Sequence, residues 1–266
     1  MQANGPPHIR ITILGSGTSQ GVPIIGCKCK VCSSNNSRDQ RLRSSALMRI
    51  GDTNLVIDAG PDFRQQMLTH KVNRLRAILL THEHVDHIFG LDDIRSYNWF
   101  QQHPTDIYAE KRVLDAVRHV FHYVFARDRY PGIPQMDLHE ISTDLFYIDD
   151  VAVQPIRAFH HRLPVLGYRV GDFSYLTDVN SIPEEEKAKL AGTRFLVLNA
   201  LRREKHISHY SLDEAVELAT EIGAEKTWFT HISHIMGLHD EVNATLPTGI
   251  ELAYDGLSFD VAVNQK

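Results

Sequence analysis

Three observations predict an α/β fold in which mixed β-sheets are covered by helices. Apolar runs of strand length come in two groups along the chain. Helical periodicities lie between and after them. No repeat, linker or low-complexity stretch divides the 266 residues, so residues 1–266 read as one domain. A chain of this size buries about three quarters of its unfolded surface, and its core needs no disulfides.

The elements follow in order. Ile9 to Leu14 alternates apolar with polar and ends at Gly15-Ser16-Gly17, a strand running into a turn. Ser45 to Ile50, Gly51-Asp52-Thr53 and Asn54 to Ile57 read as a hairpin that ends at Asp58-Ala59-Gly60. Phe63 to His70 reads as a helix, and Ala77 to Leu80 is long enough only for a buried strand. Val113 to Phe125 has helical spacing. Val151 to Ile156, Gly167 to Val170, Phe173 to Leu176 and Phe195 to Leu198 read as strands. Ser211 and Glu214 form a capping box, satisfying orphan donors of a helix that runs to Ile222, with Gly223 just past its end. Thr227 to Phe229 is a strand before Thr230-His231, and Ile250 to Val263 reads as a hairpin around Asp255-Gly256. Residues 91–140, with Trp99, Phe100, Arg127, Arg129 and Tyr130, read as a helical insertion or a lid.

Composition narrows the function. The net charge is −5 and the pI about 6.3. This argues against a broad basic surface for long duplex nucleic acid, while a small anionic substrate remains compatible. No apolar run approaches the ~18 residues of a membrane span. Met1 to Arg10 has no charged region followed by an apolar one, so no signal peptide is expected and the cytoplasm is the default location.

Thr81-His82-Glu83-His84-Val85-Asp86-His87 follows directly on the strand Ala77 to Leu80. Residues two apart in an extended segment point the same way, so His82 and His84 can hold one metal ion. Asp86 and His87, after the chain turns, can hold a neighbour. Imidazole with carboxylate suits Zn, Mn or Fe. Further ligands are offered at other strand ends by His160-His161, Asp178 and His231, and a carboxylate such as Asp178 can bridge two cations. The bland alternative is a solvated His-rich loop. Placement at a strand end, a rigid mount, favours metal.

The only three cysteines are Cys27, Cys29 and Cys32, clustered within six residues. An odd, tight group makes a poor disulfide framework and a good metal site: three thiolates within reach of one tetrahedral Zn. Reduced thiols on a loop flanked by Lys28 and Lys30 are the plain alternative.

On these motifs the chain resembles a metallo-β-lactamase superfamily hydrolase. Asp58-Ala59-Gly60, the Thr81 to His87 motif, His161, Thr177-Asp178 and Thr230-His231 occur in that superfamily's order and span most of the chain. It is most similar to the PhnP-type cyclic phosphodiesterases, through Gly15 to Pro23, Cys27-x-Cys29-x-x-Cys32 and Thr230-His231-Ile232-Ser233-His234. The resemblance implies a four-layer αββα sandwich of two mixed sheets flanked by helices. It implies that His82, His84 and His161 bind one metal, that Asp86, His87 and His231 bind a second, and that Asp178 bridges them. His161 is preferred over His160 for its spacing to Gly167-Tyr168. Asp58 resembles a carboxylate that orients the ligands. His234 resembles the fourth ligand of a structural zinc. His209 matches a general acid, and His206 is its neighbour. The implied reaction is in-line attack of a metal-bridging hydroxide on a small phosphodiester, a cyclic nucleotide or a cyclic sugar phosphate. Homodimerisation is implied by the same analogy.

Other readings remain. A tRNA 3′-processing ribonuclease shares the core ligands but needs a basic arm or face to grip RNA, and the net charge of −5 and the lack of a Lys/Arg-rich insertion count against it. A thioester or lactone hydrolase is compatible with the same metals. A non-catalytic zinc-stabilised binding protein should have lost members of the active-site ligand set. His119 and His122 read as ordinary helix residues, and His8, His70, His103, His139 and His239 have no useful grouping. Arg95, Arg127 and Arg129 are candidate phosphate contacts.

Overall fold

A computed structural model describes residues 8–128 and 130–262. Numbered in chain order, its first sheet holds β1 (His8–Gly15), β2 (Ser45–Ile50), β3 (Thr53–Ile57), β4 (Ala77–Leu79), β5 (Thr105–Ala109) and β6 (Met136–Glu140). The second holds β7 (Phe146–Ile148), β8 (Val151–His160), β9 (Leu163–Val170), β10 (Phe173–Leu176), β11 (Phe195–Asn199), β12 (Lys226–Thr230) and β13 (Ile250–Leu252). The last strand, β14 (Ser258–Ala262), returns to the first sheet beside β1.

Both sheets are mixed in the same way. Pairing is antiparallel from β14 through β1 and β2 to β3, then parallel from β3 to β6. In the second sheet it is antiparallel from β7 to β10, then parallel from β10 to β13. Alternation along the strands makes the layers. Met48, Leu55, Ile57 and Leu79 face the second sheet with Tyr168, Tyr175 and Val197. Leu47, Val56, Ile78 and Ile107 face outward, under α1 (Phe63–Thr69), α2 (Val85–Ile88), α3 (Arg95–Gln101) and α4 (Lys111–Val120). On the far side, α5 (Glu184–Lys187) lies against β8 through the Arg157 N–H to Glu186 bond. There α6 (Leu212–Ile222) and α7 (His239–Asn243) pack on Leu196, Leu198 and Phe229. The result is the four-layer sandwich of helices, sheet, sheet and helices. No helix among the described residues is long and apolar enough to cross a membrane.

The capping box is formed: Ser211 Oγ accepts from Glu214 N–H and the Glu214 carboxylate accepts from Ser211 N–H. Gly223 closes α6 at φ 70°, where a side chain would be strained.

Three expectations need correction. Residues 91–140 are not an insertion. They supply β5 and β6 to the first sheet, and Leu91, Ile94, Tyr97, Val113 and Val117 to the core beneath it. The segment from Ile250 is not a hairpin. β13 pairs in parallel with β12, and the turn at Asp255-Gly256 carries the chain across to the other sheet. Val263, its expected end, lies outside the described residues. Finally, β8 does not stop at Ile156 but stays paired with β9 as far as His160.

Candidate metal centre

The strand ends converge on one edge of the sandwich. Asp58 follows β3, the Thr81 to His87 segment follows β4, His160 ends β8, Asp178 follows β10 and His231 follows β12. Crevices outside the carboxyl ends of strands are where open α/β sheets place ligands. Three of these residues hold left-handed backbone: Asp58 at φ 62°, Asp178 at 56° and His231 at 57°. Such conformations cost non-glycine residues about 1–3 kcal/mol and persist where surrounding structure fixes them. Gly60 explains the third letter of its motif. A Cβ there would collide with the carbonyl oxygen of Asp86, so only glycine lets the two segments meet.

Ligand-capable atoms of Asp86, His87, Asp178 and His231, all buried, lie within 4.8 Å of one another. Those of His82, His84 and Asp178 do the same, so Asp178 belongs to both groups. His87 Nε2 is 3.2 Å from Asp86 Oδ2 and 3.4 Å from Asp178 Oδ1. His231 Nδ1 is 2.9 Å from Asp178 Oδ1, and His82 Nε2 is 3.8 Å from Asp178 Oδ2. Donors about 2.1 Å from a tetrahedral ion stand about 3.4 Å apart, so this spread fits shared cations.

The remote ring nitrogens are pinned. His82 Nδ1 is 2.9 Å from Thr81 Oγ1, His87 Nδ1 is 2.7 Å from Asp58 Oδ2, and His231 Nε2 is 3.2 Å from Thr18 Oγ1. The facing nitrogens, His82 Nε2, His87 Nε2 and His231 Nδ1, are buried and have no hydrogen-bond partner among the described residues. Buried polar atoms are costly to leave unmet, and three aimed at shared carboxylates fit a metal. The electrostatics agree. Burial opposes charge on His87, but Asp178, Asp58 and Asp86 overcome it and hold its imidazole well above the ordinary value. Burial likewise opposes charge on Asp178, yet His231 and His87 keep its carboxyl well below the usual range. His82, enclosed and beside His87, is pushed well down. This pocket of carboxylates calls for positive charge.

His160, not His161, reaches the cluster. The ring of His160 lies 5.2 Å from that of His84 and 5.9 Å from that of His82, and it groups with Asp178 and His209. His161 and Arg162 form the two-residue turn between β8 and β9. His161 has φ 58° and its side chain is exposed. A two-residue hairpin demands positive φ, and its first turn residue faces water. The spacing argument missed this because Arg157 interrupts the apolar run, hiding the last four residues of β8.

His209 is buried, stacked on His231 with ring centroids 4.8 Å apart and tilted against His160 at 4.4 Å, and its Nδ1 has no partner among the described residues. Burial drives its imidazole down to about 3, so it stays neutral. His206 lies farther out, 5.2 Å from His209, with Nδ1 accepting from Ser208 N–H. Asp58 is where the motif places it, accepting from Thr81 N–H and Thr81 O–H as well as from His87. Sequence reasoning gave no role to Thr18, which lies within the Gly15 to Pro23 motif, and passed over Asn180 and Asn199, which anchor site residues but carry no motif. Arg95 is committed to Asp92, Arg127 is exposed, and Arg129 lies outside the described residues.

A second cluster stands apart. Cys27, Cys29 and Cys32 place their Sγ atoms 3.3, 3.4 and 3.6 Å from His234 Nδ1. A tetrahedral zinc with three thiolates and one imidazole has S···N edges of about 3.6 Å. The Cys32 N–H and His234 lower the Cys29 thiol to about 6, whereas burial raises Cys32 to about 11. All four ligand positions are filled by side chains, which suits a structural ion.

Residues 53–232 match the model of the beta-lactamase superfamily domain. An octanoyltransferase of Porphyromonas gingivalis is 44% identical over 253 residues, covering 94% of this chain and 51% of that protein. The chain therefore spans about half the length of that curated relative. The crystal structure of a new diphosphatase from the PhnP family superposes with a TM-score of 0.91 at 38% identity, covering 96% of this chain and 98% of the other. The Zn(2+)-bound PqqB from Methylobacterium extorquens shares the fold, with a TM-score of 0.75 at 21% identity over 95% of this chain and all of that one.

Proposed function

Because the chain belongs to the metallo-β-lactamase superfamily and, within it, to the PhnP family, we propose that it is a two-metal hydrolase of a small phosphodiester. The observation that carries this is Asp178, a carboxylate shared by two donor groups whose facing imidazole nitrogens are buried and unmet. His82, His84 and His160 would hold one divalent ion, and Asp86, His87 and His231 the other. Zn, Mn and Fe all suit this mixture of imidazole and carboxylate. When bound, such a pair activates water and neutralises charge on the attacked group.

The chain's own residues do the rest. Asp58 fixes the ring of His87, and Thr18 that of His231. Asp178 keeps the two donor groups in one frame. His209, neutral at rest, would take up at Nδ1 a proton released by the attacking water and pass it to the departing oxygen, and His206 flanks it. Cys27, Cys29, Cys32 and His234 would hold a structural zinc. Three cysteines grouped for metal rather than for disulfides suit a reducing compartment, so we place the protein in the cytoplasm.

Phosphorus is favoured over carbonyl carbon because the diphosphatase is matched over nearly its whole length. The octanoyltransferase is matched over about half, and an activity named for the whole is not assigned to that half. All three thiols belong to the other cluster, so none stands in the carboxylate site to accept an acyl group. A net charge of −5 disfavours a tRNA substrate.

The test is hydrolysis of bis(p-nitrophenyl) phosphate with Mn or Zn supplied, in the wild type and in Asp178→Ala. Turnover by the wild type, lost by more than about a hundredfold in the variant, supports the proposal. No turnover by a fully metallated wild type, together with cleavage of a thioester, would replace phosphorus with carbonyl carbon.

A further inference from the structure

Three chain segments must keep register for Asp178, His160 and His209 to meet, and one side chain touches the other two from the first. Asn180, two residues after Asp178, accepts at Oδ1 from His161 N–H at 2.7 Å and donates from Nδ2 to the Ile207 carbonyl at 3.0 Å. Its backbone N–H donates to Phe159 O at 2.9 Å. Across the same junction, His160 Nδ1–H donates to Ser208 O at 2.8 Å, which leaves Nε2 as the unprotonated nitrogen. From the other side, buried Asn199 grips Val179 twice. Val179 N–H donates to Asn199 Oδ1 at 2.8 Å, and Asn199 Nδ2 donates to Val179 O at 3.0 Å.

We infer that Asn180 is a positioning residue: it sets His160 and His209 against Asp178 by tying the β8–β9 turn and the 206–209 loop to the Asp178 segment. The inference rests on the two-metal reading above. It is selective by construction. Asn199 holds the arc of Asp178 without Asn180, and His87 and His231 are anchored by Asp58 and Thr18. Cutting the Asn180 side chain therefore loosens the segments that carry His160 and His209 but leaves the other donor group in place.

Binding of Mn(II) alone, followed by the loss of its free-ion paramagnetic resonance signal, reads the two oxygen- and nitrogen-rich positions without the thiolate cluster. The wild type is expected to bind two ions. Asn180→Ala should bind one as tightly as the wild type and the other about 10–100-fold more weakly. Asn180→Asp keeps the acceptor for His161 N–H but loses the donor to Ile207 O. It should retain both ions while kcat on the chromogenic phosphodiester falls about tenfold and KM moves less than twofold. Equal weakening of both ions in Asn180→Ala with an unchanged melting temperature, or wild-type affinities, overturns the inference. If Asn180→Ala does not fold, full turnover by Asn180→Asp overturns it instead. A wild type that binds two ions but hydrolyses no phosphodiester sinks the proposed reaction, and the affinities still decide the role of Asn180.

Discussion

His87 Nδ1 lies 2.7 Å from Asp58 Oδ2, and neither side chain reaches solvent. Asp58 also accepts from Thr81 N–H and O–H, so one carboxylate orients both a ring and the start of the segment carrying His82 and His84. Asp58→Asn keeps the volume but replaces one acceptor oxygen with a donor. Its affinity for Mn(II) is expected to fall about 10–100-fold, measured by titration of the metal-free protein. Wild-type affinity would show that the ring is held by packing alone.

Adjacent histidines at the β8–β9 turn give a sharper contrast. His160→Ala should lose one of the two active-site ions and nearly all turnover. His161→Ala removes an exposed turn side chain and should change neither by more than about twofold. Metal analysis after exhaustive dialysis separates them. The reverse pattern would restore the spacing-based choice of His161.

How far the sequence could be read follows from where its signals come from. The Thr81 to His87 motif, Asp58, Asp178 and His231 were legible because each follows a short apolar run. The runs form buried parallel strands whose ends share one edge. Ser211 and Gly223 were legible because caps are local. β5 and β6 were not, since Thr105-Asp106-Ile107-Tyr108-Ala109 and Met136-Asp137-Leu138-His139-Glu140 carry polar residues that serve partners: Asp106 pairs with Arg76 and with His139. β8 was cut short for the same reason, because Arg157 is charged yet pairs with Glu110. The crossing from β13 to β14 was hidden because a turn between two sheets looks, in sequence, like a turn between two strands of one.

Cys27, Cys29, Cys32 and His234 join residues some two hundred positions apart, so a metal there acts as a cross-link. Cys29→Ser should lose one zinc per chain without changing the active-site count. The expected loss of stability is roughly 3 kcal/mol or more, about 6 °C or more in Tm for a chain this long. Calorimetry with zinc analysis checks both. An unchanged Tm in zinc-free protein would leave these thiols as an ordinary reduced loop.

His239 provides a pH test remote from the metals. It is buried in α7, with Nδ1 3.2 Å from the Arg41 guanidinium and Nε2 2.9 Å from Asn243, and its N–H donates to Asp39. Arg38, Asp240 and the Tyr254 ring complete its surroundings. Burial, aided by Arg41 and Arg38, lowers its imidazole from 6.5 to about 4. A histidine lowered on folding contributes stability that is complete above its unfolded value and lost as pH falls through the folded one. That window runs from 6.5 down to about 4. Asp255, which burial raises from 3.8 to about 6, acts with the opposite sign: its contribution is complete below 3.8 and fades as pH rises. It is common to wild type and variant, so it cancels in a difference. His239→Gln should cost about 1 kcal/mol at pH 7 through the altered Arg41 and Asn243 contacts. The wild type's advantage should then shrink steadily as pH falls from 6.5 and reverse in sign before pH 4, seen in paired urea melts. An advantage that stays constant over that window would mean His239 is not what acid unfolds.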